Sequence, residues 1–343
     1  MPHRTFFVFI FPSILAMVLF ITLPIVSVVV QSLFVQHEAV LITVENCDPF
    51  GCSSQTRIDT EAMAKLQAER PLGQFAGLSN YLNRNHLAVN EIKAIFADNS
   101  GFADIVSRIF NLPFYKAITF TLVYCFLVTP LAMALGFTIA LAVNTLPGML
   151  KGPTIFVSIL PMIITPLVGS LILFWMFNPS GILGASLQSL TGDPGLSLRA
   201  SPTLTWVVLL VYGVWTNGPF SFVVFYAGLQ TVPQDTVESA RIDGASRWEI
   251  IRYVIIPHLA PLATFVALVQ LMDNFRVFEP IVGFSAEANA TSLSWLVFND
   301  LVGQDAQLFG SAAATSVITI VGVLILLTPV LRRTWREFNQ KAV

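Results

Sequence analysis

The sequence predicts an all-α integral membrane protein with six membrane-crossing helices and a partly helical segment inserted after the first. Composition is the first observation behind this. Hydrophobic residues fill 55% of the 343 positions and charged residues 11%, with a mean hydropathy of +0.74. A soluble domain carries roughly 25% charged residues, so a globule of this composition would leave apolar surface in water. The second observation is six apolar runs of about 20 residues or more, the length that a helix rising about 1.5 Å per residue needs to cross a bilayer core. They lie at 6–33, 116–143, 154–177, 204–229, 259–284 and 309–331. A soluble-enzyme fold for the whole chain is excluded.

The first run is too long for a signal peptide, and no small-residue cleavage site closes it. Pro12, Pro24, Pro130, Pro161, Pro166 and Pro219 fall inside the runs. In a membrane bundle, neighbouring helices can satisfy the carbonyls that proline leaves free. Basic residues set the orientation. One set of flanks holds Arg4, Lys151, Arg241, Arg247, Arg252, Arg332, Arg333, Arg336 and Lys341, whereas the short opposite loops near 178–203 and 285–308 hold only Arg199. Both termini are therefore expected in the cytoplasm. The predicted organisation is a cytoplasmic N-terminus with the first helix (1–33), an exported insert (34–115), a five-helix core (116–331) and a cytoplasmic tail (332–343).

Within the insert, Thr60 to Arg70 is built of helix formers, with Met63, Leu66 and Gln67 at helical spacing and Pro71 beyond. Val89 to Phe96 repeats the pattern with Ile92, Ile95 and Phe96. Such stripes are expected to bury against a neighbour rather than touch a ligand. Cys47 and Cys52, in CDPFGC, lie in this exported stretch, while Cys125 lies inside the second run. An oxidising compartment and the Pro49 and Gly51 turn favour a disulfide between the first pair. Two free thiols, or an incomplete metal site, are the alternatives. The four histidines, His3, His37, His86 and His258, are scattered, so no metal site is expected. No catalytic residue is expected either. The net charge of −2 argues against a nucleic-acid partner.

The most informative stretch is the loop 231–258 with its flanks, GLQTVPQDTVESARIDGASRWEIIRYVIIPHLAP. It encodes two short helices with a break. Pro233 and Asp235 start the first, and Gly244 supplies the positive φ that ends it. Ser246 and Glu249 have capping-box spacing for the second. Trp248, Ile251 and Ile255 give that helix an apolar face, and Pro257 marks the start of the next crossing helix.

This stretch resembles the EAA loop of permease subunits of binding-protein-dependent ABC importers, in the carbohydrate-uptake branch of the maltose-type first permease. The pattern is carried by Glu238-Ser239-Ala240, Gly244 and Val254-Ile255-Ile256-Pro257, with Ser239, Val254 and Ile256 as conservative departures. Trp215 with Pro219-Phe220, Gly228-Leu229-Gln230, Asp273 to Phe278, and Gly77-Leu78-Ser79-Asn80-Tyr81 extend the match. The resemblance implies the type I ABC importer permease fold. It implies a multi-pass protein of the bacterial inner membrane that forms half of a translocation pathway by alternating access. It implies as partners a second permease subunit, two ATPase subunits and a periplasmic sugar-binding protein, with a carbohydrate as cargo. Glu238, Ala240, Arg241, Asp243, Gly244 and Arg247 would then couple to the ATPase. Sugar contacts of the maltose-type permease map onto Thr216, Asn217, Phe220, Gln270, Leu271 and Asn274. The chain has no G-x-x-x-x-G-K-[ST], so no cofactor is expected in it, and ATP and Mg would be bound by the partner ATPase.

Other solutes stay open as cargo, namely a polyol, glycerol phosphate or a polyamine. A second class is a secondary transporter without an ATPase, but no internal repeat is evident, and Asp273 and Glu279 are the only acidic residues in the runs. An intramembrane enzyme would need a Ser/His pair, H-E-x-x-H or paired aspartates inside the runs. None is present.

Overall fold

The computed structural model describes residues 3–37, 40–48, 51–98, 101–303 and 308–340. By length and composition, six helices are long and apolar enough to cross a membrane. The chain forms two compact units, Met1–Tyr115 with Leu296–Ile320, and Lys116–Trp295 with Val321–Val343.

In the first unit, the opening span runs as His3–Met17, a π-turn at Val18–Thr22 and Leu23–Gln31. The π-turn has a cause in the sequence. Pro24 has no N–H to return to the preceding turn and its ring crowds that turn's carbonyl. Widening the winding just before it relieves the clash, so that Leu23 N–H reaches Val18 O. The strand pair Phe34–Val35 and Gln74–Phe75 follows, with the Phe34 and Phe75 rings packed edge to face at 5.5 Å. Asn80, in the Gly77–Tyr81 motif, donates to Ser32 O at 2.9 Å and Phe34 O at 3.0 Å, and Tyr81 Oη donates to Ser32 Oγ at 2.6 Å. The motif thus satisfies carbonyls left open where the first span ends.

The two helices expected in the insert are present as Thr60–Glu69, capped by the Asp59 carboxylate, and Val89–Ala97. Ile95 is buried with Ala88 and Leu112, while Ile92, Ile105 and Ile109 pack around them. Phe96 does not join that face and is exposed. A hairpin of Leu41–Asp48 and Gly51–Ile58 was not expected from the sequence. Its register sets Cys47 opposite Cys52. Their side chains, and so the expected disulfide, lie outside the described residues.

His86 is fully buried in this unit. Asn83 Oδ1 accepts the Asn85 N–H at 3.1 Å, which fixes its orientation, so His86 Nδ1, 2.8 Å from the same oxygen, must carry a proton. Nε2 is then the acceptor of the neutral ring, taking the Thr315 hydroxyl at 2.8 Å. Burial lowers the His86 pKa, opposed by the Ser311 carbonyl and the nearby Asp300. Asp300 accepts from Ser311 Oγ, and burial raises its carboxyl. Below the ordinary histidine pKa of about 6.5 the unfolded chain binds a proton that the folded unit refuses, so stability falls with pH across that window. The raised Asp300 acts oppositely, gaining stability as pH falls through its folded value. Hydrogen exchange of peptides covering 79–98 in the intact protein is expected to quicken from pH 7.5 to 5.5, after correction for intrinsic rates, and to lose that dependence in His86→Gln.

In the second unit, the span Pro113–Thr145 crosses Pro202–Leu229 where Gly136 meets Gly218 and Ser221. A Cβ at Gly136 would overlap the Phe222 backbone, so only glycine permits this approach. The expected run 154–177 is not one helix. Gly148–Ile163 and Pro166–Phe177 are separated by Ile164 and Thr165 in extended conformations, because a residue before proline is driven out of the α region. The expected run 259–284 also changes. Its helix starts earlier, at Arg247, and stops at Phe275, and Glu279–Gly283 forms a separate turn. The last helix, Phe309–Gln340, contributes Val321 onward to this unit, and its apolar crossing stretch is Phe309–Arg332.

Candidate functional site

Two places in the second unit carry polar chemistry. The first is the 231–258 loop. Gln234–Ile242 is a helix whose end is closed by Gly244 at φ +82°. Gly244 N–H reaches Arg241 O and Ala245 N–H reaches Ala240 O, both at 3.0 Å, which is a Schellman closure. The Ser246–Glu249 capping box is formed, with the Glu249 carboxylate accepting the Ser246 N–H at 2.7 Å. Beyond it the structure departs from the expected short second helix. Arg247–Ile250 runs through a π-turn at Ile251–Ile255 directly into Ile256–Phe275. Pro257 therefore does not mark a boundary. As at Pro24, the π-turn just before it lets one helix continue. Glu238, Arg241, Asp243, Gly244 and Arg247 are exposed and Ala240 is half-buried. None of these charged side chains forms an ion pair among the described residues. Ile242, Trp248 and Tyr253 are also exposed, Ile242 by 86%. The turn thus presents charges without ion pairs beside uncovered apolar groups.

The second place is a cleft of about 490 Å³. One wall is the break in the third run, through Pro161, Ile164 and Pro166. The fourth and fifth spans supply Tyr212, Thr216, Asn217, Asp273 and Asn274, and the turn beyond the fifth supplies Arg276, Val277, Glu279 and Pro280. Of the six residues expected to meet cargo, Thr216, Asn217 and Asn274 line it. Asn217 Nδ2 donates to Asn274 Oδ1 at 3.3 Å, and Asn274 Nδ2 donates to Thr129 Oγ1 at 3.0 Å. These bonds tie three spans together and set both amides at the wall.

The other three lie elsewhere. Gln270 is 1% exposed and donates to Asn217 O at 3.0 Å and Ser221 Oγ at 2.7 Å. Phe220 faces Phe265 at 6.4 Å, and Leu271 O accepts the Cys125 thiol at 3.4 Å. Arg276 binds Asp273 at 2.8 Å, three residues apart on one turn. Sequence reasoning did not place Tyr124, Glu279 or the residues of the third-run break in this cleft. Glu279 stood out only as an acidic residue in an apolar run. The helix end at Phe275 and the turn Glu279–Gly283 bring it to the same cleft as Asn217.

A model of the family described as binding-protein-dependent transport system inner membrane component matches residues 105–333. The chain is 31% identical to a probable ABC transporter permease protein of Sinorhizobium fredii, over 67% of this chain and 73% of that one. It is 29% identical to the trehalose/maltose transport system permease protein of Thermococcus litoralis, over 62% and 71%. It is 26% identical to an sn-glycerol-3-phosphate transport system permease protein of Yersinia enterocolitica, over 84% and 83%. Among solved structures, a bacterial ABC transporter involved in the import of the acidic polysaccharide alginate superposes with a TM-score of 0.58 at 21% identity, over 75% of this chain and 91% of that one. That last likeness gives the fold, in agreement with six helices long and apolar enough to cross a membrane. With its matched region spanning more than half of the sequence and both relatives and fold in agreement, the chain belongs to the binding-protein-dependent transport system inner membrane components, the membrane-spanning permeases of ABC importers.

Proposed function

We propose that this chain forms one wall of the translocation pathway of an ATP-driven importer of polyhydroxylated solutes, with a mono- or oligosaccharide as cargo. The observation that carries the reading is the cleft, where the Asn217 and Asn274 amides and the Thr216 hydroxyl meet Tyr212 in one cavity. Sugars need amide or hydroxyl partners for their rims and aromatic or apolar surface for their ring faces. The relatives named for trehalose/maltose and for sn-glycerol 3-phosphate support a polyol-bearing cargo.

The 231–258 loop docks on an ATPase subunit through Glu238, Ala240, Arg241, Asp243, Gly244 and Arg247. Nucleotide-driven closure of two such ATPases, which hold the ATP and Mg, moves the loop and switches the cleft between inward and outward access. A second permease subunit supplies the opposite wall and a periplasmic sugar-binding protein delivers cargo. Both termini and the loop lie in the cytoplasm, and 34–115 is exported. ATP hydrolysis and uptake by the reconstituted assembly across a carbohydrate panel, with its binding protein, tests the reading. Hydrolysis that no panel member stimulates would overturn it.

Export also gives the hairpin an oxidising compartment. Cys47 and Cys52 face one another in register, and directly opposed strand positions lie about 4.5–5.5 Å apart at Cα, inside the range a disulfide spans. The disulfide closes the turn, so reduction is expected to weaken transport without abolishing it. Mass spectrometry of non-reduced peptides should find the two cysteines linked. Independent alkylation of both thiols in freshly exported protein would contradict this.

A further inference from the structure

We propose that the cleft selects uncharged cargo, and that Glu279 is the residue of this chain that turns anions away. The proposal rests on the transport reading above and narrows it to one class, neutral polyhydroxylated solutes. Arg276 is the one cation among the described residues lining the cleft, and its guanidinium is already held by Asp273 at 2.8 Å. A phosphate or uronate needs a basic group free to pair with it, preferably the fork of an unengaged arginine. This wall offers only Arg276, whose charge Asp273 already offsets through Nη2. Counting formal charges, Asp273 and Glu279 against Arg276 leave the wall one negative charge, which Glu279 contributes.

The remaining polar groups suit hydroxyls. Thr216 can turn its hydroxyl between its own helix carbonyls, Tyr212 O at 3.0 Å and Gly213 O at 3.2 Å, and a ligand. Asn217 Nδ2 already serves Gly213 O and Asn274 Oδ1, so Asn217 offers its Oδ1 as an acceptor, while Asn274, whose Nδ2 serves Thr129 Oγ1, keeps a second N–H to donate. A sugar hydroxyl meets these without leaving a charge unpaired, whereas an anion would lie against a carboxylate with no counter-ion. Rejection by an unpaired like charge discriminates more sharply than loss of one favourable contact. A cationic solute would gain from Glu279 but would leave the amides and the hydroxyl of the wall without matched partners.

The test is uptake into proteoliposomes carrying the full assembly and its binding protein, with maltose, trehalose, trehalose 6-phosphate, sn-glycerol 3-phosphate and spermidine as probes. Parental protein should prefer a neutral sugar to either phosphorylated probe by about tenfold or more. Glu279→Gln, close to isosteric, and Glu279→Lys should each shrink that ratio, by about fivefold for the glutamine, the size of one unit charge removed from a partly solvated cleft. The binding protein is the same throughout, so its own selectivity cancels when variant and parental ratios are compared. Should the lysine variant fail to assemble, the glutamine variant decides. Preference of the parental assembly for a phosphorylated probe or for spermidine would overturn the proposal, as would a ratio unmoved by Glu279→Gln in an intact assembly. If no sugar of the carbohydrate panel is taken up, the carbohydrate reading fails and this proposal falls with it, a different result from uptake with the wrong preference.

Discussion

Gly244→Val is expected to cut coupled uptake by about tenfold or more while leaving the protein assembled in the membrane. Gly244 sits at φ +82° and closes the helix Gln234–Ile242 through the paired bonds to Arg241 O and Ala240 O. Nothing lies within 4 Å of a Cβ built there, so the substitution meets no steric wall. Its cost is in the backbone, about 1–2 kcal/mol for an L-residue held in the left-handed region and more for a β-branched one. The cheapest relief is to move the helix end by a residue. That swings Glu238 and Arg241 relative to Asp243 and Arg247, and the exposed face loses its register. The rest of the bundle does not feel this change, because the loop side chains concerned are exposed. Gly244→Asn separates strain from loss of glycine itself, since asparagine enters the left-handed region at small cost. Uptake and ATP hydrolysis measured together decide the matter. The valine variant should hydrolyse ATP without matching uptake, and the asparagine variant should stay near parental. Parental uptake by the valine variant would show that this turn transmits nothing.

Much of this loop was legible because its signals are local. A glycine two residues before a serine, with glutamate three beyond it, specifies a helix end and a capped start whatever the rest of the chain does. The Asp273–Arg276 pair was legible for the same reason, being three residues apart on one turn. Long-range consequences of proline were not. Pro161 and Pro166 sit in an unbroken apolar run, and hydropathy alone reads straight through them. The break at Thr165 arises from proline sterics acting on the preceding residue. At Pro24 and Pro257 the same sterics had the opposite outcome, because a π-turn could absorb them. The hairpin was hidden differently. Leu41 to Val44 is rich in β-branched residues, yet polar residues dominate from Glu45 to Arg57, which leaves little alternation to read. The cleft was legible only in part, since helical spacing shows which residues share a face but not which members of that face meet a void. Gln270 and Asn274 lie on one face of the same helix, yet one is packed against Ser221 and the other lines the cavity.

That difference makes the strongest test of the cargo site. Asn217→Leu and Asn274→Leu are each expected to lower uptake of the native cargo by about tenfold or to change sugar preference, with assembly and basal ATP hydrolysis retained. Each leucine removes interhelical bonds that in membranes contribute about 0.6–2 kcal/mol apiece. The bundle can bear this, because the fourth span is also held at Gly136 and by the buried Phe222 and Phe225 cluster. Thr129, deprived of Asn274, can return its hydroxyl to a carbonyl of its own helix. If the two asparagines only bind helices together, Gln270→Leu should behave like them, since it breaks bonds of the same kind to Asn217 O and Ser221 Oγ. If they meet cargo, the effects part company. Gln270→Leu should lower the yield of assembled protein yet leave sugar preference where it was, whereas the asparagine variants should alter uptake or preference at parental yield. Uptake by Asn217→Leu and Asn274→Leu at the parental rate and selectivity would place the cargo site away from this wall, and the polar chain from Thr129 to Ser221 would then serve packing alone.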